Sequence, residues 1–227
     1  MSTVLMFTGR SGVDQLEFRQ QLLRVPEVSI TLKMAQSILE ASQSKDAKEL
    51  MTLAQYETNE YLSAGLWRDF LAQLMQIGLY RRYEKLSARP QYIIGDSGEC
   101  SASAVCLGLL SLEEYVARFL ELLEKRNAEE QSKEFLVGHR LESAKLYERT
   151  FEGYVVKLEG KDLWSLFDDL RKDHLIDQIV TLGVAPSSSW HIEQDLGLVA
   201  SVVMDPLLNW MVPYLRTSAP MLNVAFG

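Results

Sequence analysis

Short apolar runs and helical stripes of apolar residues alternate along the chain, and each predicts one kind of element. Continuous runs at 4–7 and 92–94 are typical of buried strands, residues 154–158 form a further strand bounded by glycines, and a run at 176–184 fits either a strand or a helix. Apolar residues that recur every three or four positions predict helices over 14–24, 30–42, 46–56, 60–80, 111–126, 134–150, 162–174 and 205–216. Strands separated by helices predict an α/β fold with a mostly parallel sheet flanked by helices.

Glycine-containing turns follow the first two predicted strands. The first strand leads into Gly9-Arg10-Ser11-Gly12, and the second, which starts after Pro90, leads into Gly95-Asp96-Ser97-Gly98. Ligands of open α/β sheets gather at the carboxyl ends of the parallel strands. The two turns are therefore predicted to meet at one edge of the sheet and to form one site.

Residues 91–110 carry the outline of a nucleophile elbow. An apolar strand is followed by a tight turn that holds Ser97, and small residues and leucines from 99 to 110 predict a helix packed closely on the sheet. In such an elbow the serine hydroxyl is held toward the substrate, above a helix N-terminus that favours developing negative charge. The alternative is an ordinary strand-to-helix turn in which Ser97 is a cap.

Proline, glycine and serine positions predict where several helices begin and end. Pro26 is expected to stop the first helix, and Gly78 and Pro90 to bracket the exit of the helix over 60–80. Ser111, with Glu114 three positions later, is typical of a capping box at the start of a helix. The predicted core stripe of that helix is Tyr115, Phe119, Leu122 and Leu123.

The composition favours one globular domain with an acidic surface. The chain has 227 residues, 47% apolar and 24% charged, which is enough to bury a sizeable core. A net charge of −8, without any Lys/Arg run longer than two residues, argues against nucleic acid as a partner. An acidic protein partner would need a local basic patch, for which Arg81-Arg82 and Lys125-Arg126 are the candidates.

Cysteine and histidine usage indicates neither a disulfide nor a metal site. Cys100 and Cys106 face different directions on a helix, so both are expected to pack as small apolar side chains. Unpaired thiols fit a reducing cytoplasm. The chain has no zinc-type ligand spacing, no basic start of a signal peptide, and no apolar run near the ~20 residues of a membrane span.

Two segments resemble motifs of the malonyl-CoA:acyl-carrier-protein transacylases and polyketide acyltransferase domains. Phe7-Thr8-Gly9-Arg10-Ser11-Gly12 is similar to their opening Phe-Pro-Gly-Gln-Gly-Ser, and residues 95–102 are similar to their Gly-His-Ser-Leu-Gly-Glu-Tyr-Ser segment. Residues 62–76 stand where the family has its Thr-Gln-Pro-Ala-Leu helix. The resemblance covers residues 3–126 and implies a divergent, shortened member with an acyltransferase (α/β-hydrolase-like) core.

The resemblance implies acyl transfer of the fatty-acid and polyketide type through a serine acyl-enzyme. Ser97 would accept an acyl group from a coenzyme A or acyl-carrier-protein thioester. The backbone N–H groups of Arg10 and Gly98 would form the oxyanion hole. No cofactor is implied beyond the acyl-CoA or phosphopantetheine thioester that is the substrate, and the implied partner is an acyl carrier protein or a synthase subunit.

Three departures from the family pattern leave a second function open. Asp96 replaces the histidine before the nucleophile, and Glu99 replaces the second glycine of the elbow. An ungapped count places Leu122 where the family has the arginine that grips the malonyl carboxylate. The alternative is a catalytically inactive relative that serves as a carrier-protein or synthase-binding module.

The general base depends on how the C-terminal third is interpreted. In one interpretation, 1–227 is a single acyltransferase-like domain that lacks the ferredoxin-like insert, and His139, in a segment similar to the family's histidine motif, is the base. In the other, 1–150 is a partial core and 151–227 a ferredoxin-like subdomain. Foldability favours the first, because a two-stranded core is not stable alone. His174 and His191 are the other candidate bases.

Overall fold

A computed structural model describes residues 3–7, 19–20, 22–42, 49–56, 66–96, 101–129, 144–161, 178–182 and 200–201 of the chain. In chain order the elements are β1 (Thr3–Phe7), α1 (Pro26–Ala41), α2 (Leu50–Tyr56), α3 (Leu66–Leu86), β2 (Tyr92–Asp96), α4 (Ala102–Cys106), α5 (Leu112–Glu129), β3 (Ala144–Arg149), β4 (Tyr154–Lys161), β5 (Gln178–Leu182) and β6 (Ala200–Ser201). The predicted helices over 162–174 and 205–216 lie outside the described residues.

One sheet joins the described strands in the order β4-β3-β2-β1-β5-β6. β1 lies between β2 and β5 and runs parallel to both, and β6 continues the parallel part beside β5. β2 pairs antiparallel with β3, and β3 antiparallel with β4. The predicted α/β fold with helices around a sheet is confirmed, and the sheet is mixed, since it is parallel on one side of β2 and antiparallel on the other.

Both faces of the central strands are buried. Leu5, Phe7 and Ile93 belong to the main apolar cluster, which includes side chains of α1, α3 and α5. Val4 and Ile94 alternate with these residues and are also almost fully buried, so the second face is covered too. A parallel arrangement requires cover on both faces. This explains why β1 and β2 are continuous apolar runs in the sequence rather than alternating ones.

Helices α1 and α3 pack closely at Gly78, in the interior of α3. A Cβ atom at Gly78 would lie 2.5 Å from the Cα atom of Val28 in α1, so only glycine fits at this contact. The helix ends between Gly78 and Pro90, as predicted, but it extends beyond the predicted end at residue 80. The helix continues to Leu86 because the missing side chain serves helix packing rather than termination.

Aromatic side chains join α3 to α5. The ring of Phe70 stacks on Phe119 with a centroid distance of 3.9 Å and on Tyr115 with a distance of 5.5 Å. Trp67 meets Phe119 edge-on at 4.9 Å. All four side chains are buried, so the aromatic stripes of these helices form core, as the sequence predicts.

The sequence marks two helix boundaries with a capping box and a proline, and the structure describes both. The capping box is confirmed: the backbone N–H of Ser111 donates to Glu114 Oε2 at 2.8 Å, and that of Glu114 donates to Ser111 Oγ at 3.1 Å. Pro26 is the first residue of α1, and the helical residues described before it end at Leu22, so this proline follows the end of one helix and begins the next. Proline fits the first turn of a helix because the N–H that it lacks has no partner there.

The segment over 144–149 is strand β3, whereas the sequence predicts a helix over 134–150. Its Tyr147 and Leu146 pair with Ile93 and Ile94 of β2, a long-range contact that outweighs the local helical pattern. The ambiguous run at 176–184 contains strand β5, which pairs along its length with β1. No helix in the described part of the chain has the length and apolar character needed to cross a bilayer.

Candidate active site

Strands β1, β2 and β5 reach the same edge of the sheet. Met6 is in register with Ile94, and Phe7 with Leu182. Because the three strands are parallel, their carboxyl ends lie side by side, where α/β proteins place their ligands. The strands that precede the two predicted turns are thus parallel neighbours. Gly95 and Asp96, predicted to begin the second turn, are the last two residues of β2, and residues 8–12 and 97–98 lie outside the described residues.

Gly95, next to the last residue of β2, lies directly against Ser103 of α4. A Cβ atom at Gly95 would overlap Oγ and Cβ of Ser103, and both residues are buried. Glycine therefore allows α4 to approach the end of β2 more closely than any other residue would. The helix is held beside the point where the chain leaves the sheet.

A pair of buried serine hydroxyls holds the start of α4. Ser101 Oγ accepts the backbone N–H of Ala104 at 3.3 Å and shares a hydrogen bond of 3.0 Å with Ser103 Oγ. The two residues are 2% and 1% exposed, so each hydroxyl is satisfied away from water. Neither serine stands out in the sequence, although the alternation of serine and alanine from 101 to 104 is the signal of a closely packed helix start.

Helix α4 is shorter than the predicted helix over 99–110 because a glycine ends it. The N–H of Leu109 donates to the carbonyl of Ala104 at 2.9 Å, and the N–H of Gly108 donates to that of Val105 at 3.1 Å. Gly108 has a φ of 72°, which completes a Schellman motif. The motif turns the chain from α4 toward α5.

The predicted site residues Ser97, Gly98, Arg10 and His139 lie outside the described residues, as do His174 and His191. The strand ends that precede Ser97 and Arg10 are among the described residues. Ser97 follows Asp96, the last residue of β2, by one peptide bond, and Arg10 follows the end of β1 by three residues. The structure thus brings together the strand ends from which the two predicted turns start.

Leu122, which the sequence resemblance aligns with a carboxylate-binding arginine, lies on α5 with 45% of its surface exposed. The predicted core stripe of α5 is confirmed for its other three members but is wrong for this leucine. Lys125, one turn further on, is also exposed. A leucine on this outer face supplies no charge that would hold a carboxylate.

The basic pair Arg81-Arg82 is engaged within the contact between α1 and α3. The side chain of Arg82 is 16% exposed and forms an ion pair with Glu27 Oε1 at 3.3 Å. Arg81 donates to Thr31 Oγ1 at 3.0 Å. Glu27 itself is missing from the sequence prediction, although a glutamate directly after a helix-starting proline is the signal that marks it.

The described cysteine is not a competing nucleophile. Burial raises the pKa of the Cys106 thiol well above its ordinary value, and the nearby Glu84 carboxylate raises it further. The thiol is therefore protonated at neutral pH and unreactive. Within the described ranges, no group of three or more His, Cys, Asp or Glu side chains is arranged to hold a metal ion.

Comparisons with known proteins give one partial likeness. No protein-family model matches the chain, and no curated protein matches it by sequence. Among solved structures, the malonyl CoA-acyl carrier protein transacylase of Coxiella burnetii is similar over 97% of this chain and 92% of its own, with 17% sequence identity and a TM-score of 0.48. A TM-score of this size does not assign a fold family, so the site is interpreted from its own residues.

Proposed function

We propose that the chain is an acyltransferase-like enzyme of the fatty-acid and polyketide type, which moves acyl groups between coenzyme A or acyl-carrier-protein thioesters through an acyl-enzyme on Ser97. The observation that supports the proposal is the parallel pairing of β1 with β2, together with the close contact of Gly95 and Ser103 at the end of β2. A nucleophilic serine at a strand-to-helix turn needs a helix packed closely against the end of its strand, and α4 packs in this way against β2.

The proposed reaction has two symmetrical halves. Ser97 Oγ attacks the thioester carbonyl while His139 removes the hydroxyl proton, and the tetrahedral oxyanion accepts hydrogen bonds from the backbone N–H groups of Arg10 and Gly98. The carbon–sulfur bond then breaks, and the departing thiolate takes the proton from His139. In the second half a thiol, or water, attacks the serine ester and regenerates the free serine.

Chain length is compatible with two oxyanion donors from different strands. Neighbouring strands lie about 4.8 Å apart. A residue spans at most about 3.6 Å, so the segments from Phe7 to Arg10 and from Asp96 to Gly98 start from neighbouring strand ends and reach at most about 11 Å and about 7 Å from them. Backbone donors survive side-chain replacement, so the arginine at position 10 is compatible with this role.

Intact mass spectrometry after incubation with acetyl-CoA, malonyl-CoA and longer acyl-CoA donors tests the proposal. We expect a mass increase equal to one acyl group in the wild type and none in Ser97→Ala. Ser37→Ala is the matched control, because Ser37 is exposed on α1 and its hydroxyl donates to the Lys33 carbonyl of the same helix, and it should retain the adduct. The malonyl and acetyl donors together test whether Leu122 has removed the preference for a charged acyl group.

The catalytically inactive alternative makes the opposite prediction. A module that only binds a carrier protein would show no adduct with any donor in the wild type, and its carrier-protein affinity would be the same in Ser97→Ala. That pair of results would refute the enzyme and leave the binding module as the function.

A further inference from the structure

Strand β4 forms an open edge of the sheet beside the turn that joins it to β3. Of the described strands, β4 is the last one on its side, and its described neighbour is β3. Val155 and Val156 of β4 are 50% and 49% exposed, and Phe151 in the preceding turn is fully exposed. Exposed apolar residues on an edge strand mark a surface to which a further strand can be added.

Hydrogen bonding in the turn determines which main-chain groups of β4 point outward. The N–H of Thr150 donates to the carbonyl of Gly153 at 2.6 Å. Hydrogen-bonded and non-hydrogen-bonded pairs alternate along an antiparallel ladder. Val155 is therefore bonded to β3, whereas Tyr154 and Val156 direct their N–H and C=O groups away from it. The residue opposite Tyr154 agrees with this alternation, because its N–H donates to the segment before β2 and not to β4.

The two exposed valines lie on opposite faces of the sheet. Val156 is opposite Tyr147, which belongs to the buried core. Val155 is opposite Glu148, on the face where Glu148 forms an ion pair with Lys157 at 3.5 Å. A helix docked on one face would cover only one of the valines. A strand added to the edge covers part of both, so a strand is the element that suits this surface.

The free edge, from Tyr154 to Val156, is complementary to a second copy of itself. The edge ends there because the pairing with β3 shifts at Lys157. In an antiparallel pair, residues whose main-chain groups point outward must be opposite each other. Pairing Tyr154 with the partner's Val156, and Val156 with the partner's Tyr154, meets this condition. This register places Val155 opposite the partner's Val155, on a two-fold axis.

We propose that two copies of the chain pair through β4 into a closed dimer. Tyr154 and Val156 exchange main-chain hydrogen bonds with the partner copy, the two Val155 side chains meet at the axis, and each turn brings Phe151 to the partner's β4. A two-fold contact uses the same edge of both copies, so association ends at two chains and does not continue into a fibre. The contact lies near the amino end of β2, away from the strand ends that lead to the proposed active site.

Two cysteine variants of the full-length chain test the register. Opposite residues of a non-hydrogen-bonded pair have Cα atoms about 4.5 Å apart, which a disulfide can bridge. Val155→Cys should therefore form a covalent dimer under mild oxidation, seen by non-reducing electrophoresis. Val156→Cys is the matched control, because its Cα would lie roughly 8–9 Å from its copy, too far for a disulfide. The wild type measures the background from the native cysteines.

Sedimentation equilibrium tests the dimer itself. We expect the average mass of the wild type to rise from one chain toward two between about 1 μM and about 500 μM, as for a small interface. Val155→Lys places like charges opposite each other at the axis and should weaken the dimer by about fivefold or more. Ile30→Lys is the matched control, because Ile30 is 52% exposed on α1, and it should leave the dimer unchanged.

Three results would overturn the proposal. A wild-type chain that stays monomeric at every concentration would leave the edge to a strand of another protein. Equal cross-linking of Val155→Cys and Val156→Cys would show that the two copies do not meet in this register. Equal weakening by Val155→Lys and Ile30→Lys would show that association does not depend on β4.

Discussion

Gly95 of β2 and Ser103 of α4 are in a contact that leaves no space for a methyl group. The obstacle to a larger residue is a side chain, not the backbone, and it belongs to one of two buried serines that hold the helix start. The same contact fixes how close the helix lies to the strand end that precedes Ser97. It therefore links the stability of the fold to the geometry of the proposed site.

Gly95→Ala should destabilise the protein by about 1–3 kcal/mol, the usual cost of overpacking a close contact. Urea unfolding of Gly95→Ala, Ser103→Gly and the double variant measures this cost and its origin. Because Ser103 supplies the overlapping atoms, the alanine should cost less in the Ser103→Gly background than in the wild type. Additive effects of the two substitutions would show that the contact is not the cause.

Gly78→Ala tests the packing of α1 on α3, because the contact decides whether the substitution raises or lowers the free energy of unfolding. In an exposed helix interior, alanine is more stable than glycine by about 0.5–1 kcal/mol. Here the new Cβ would lie 2.5 Å from Val28 Cα, a backbone atom that cannot rotate away, so we expect a loss of about 1–3 kcal/mol in urea unfolding. Val28→Ala should not rescue the variant. A gain in stability would contradict the described helix contact.

Glu114 should make the stability of α5 depend on acid pH. Hydrogen bonds from the backbone N–H and side chain of Ser111 hold the pKa of this carboxyl below its ordinary value of 4.5. Because the pKa is lower in the folded state, the carboxylate stabilises the fold above pH 4.5, and that stabilisation is lost as the pH falls through the folded pKa.

The urea midpoints of wild type and Glu114→Gln, followed from neutral pH into acid, measure this effect. The advantage of the wild type should shrink as the pH falls and vanish once Glu114 is protonated. Glu113→Gln is the matched control for the loss of a carboxylate, because Glu113 lies in the same first turn but outside the capping box. A difference in urea midpoint between wild type and Glu114→Gln that stays the same in acid would contradict the prediction.

His139→Gln should slow acylation of Ser97 by roughly 10²-fold or more, the usual contribution of a general base. The measurement is the rate of adduct formation by quenched-flow mass spectrometry. His174→Gln and His191→Gln are controls with the same substitution and should acylate at the wild-type rate. If His174→Gln or His191→Gln slows acylation while His139→Gln acylates at the wild-type rate, the histidine whose substitution slows acylation is the base.

Local signals were sufficient where an element depends on its own residues. The capping box of Ser111 and Glu114 is complete within four positions, and it forms as predicted. The apolar runs of β1 and β2 were equally clear, because both faces of these strands are buried. The edge at which the two turns start could therefore be predicted from the sequence.

Other elements depend on contacts between distant parts of the chain, which no local pattern contains. Gly78 has its position inside α3 because of Val28, fifty residues earlier. Residues 144–149 form a strand because β2 offers them an edge. Glu27 is buried because Lys85 and Arg82 cover it from the end of another helix. Such features cannot be found without the tertiary structure.

The most direct test of the central claim is to find the residue that carries the acyl group. The wild-type protein is incubated briefly with an acyl-CoA donor, quenched in acid, digested and sequenced by tandem mass spectrometry. We predict that the acyl mass lies on Ser97 in the peptide that contains residues 95–99. Acylation of another residue, such as Cys106, or an unmodified Ser97 with every donor, would contradict the claim that this turn carries the nucleophile.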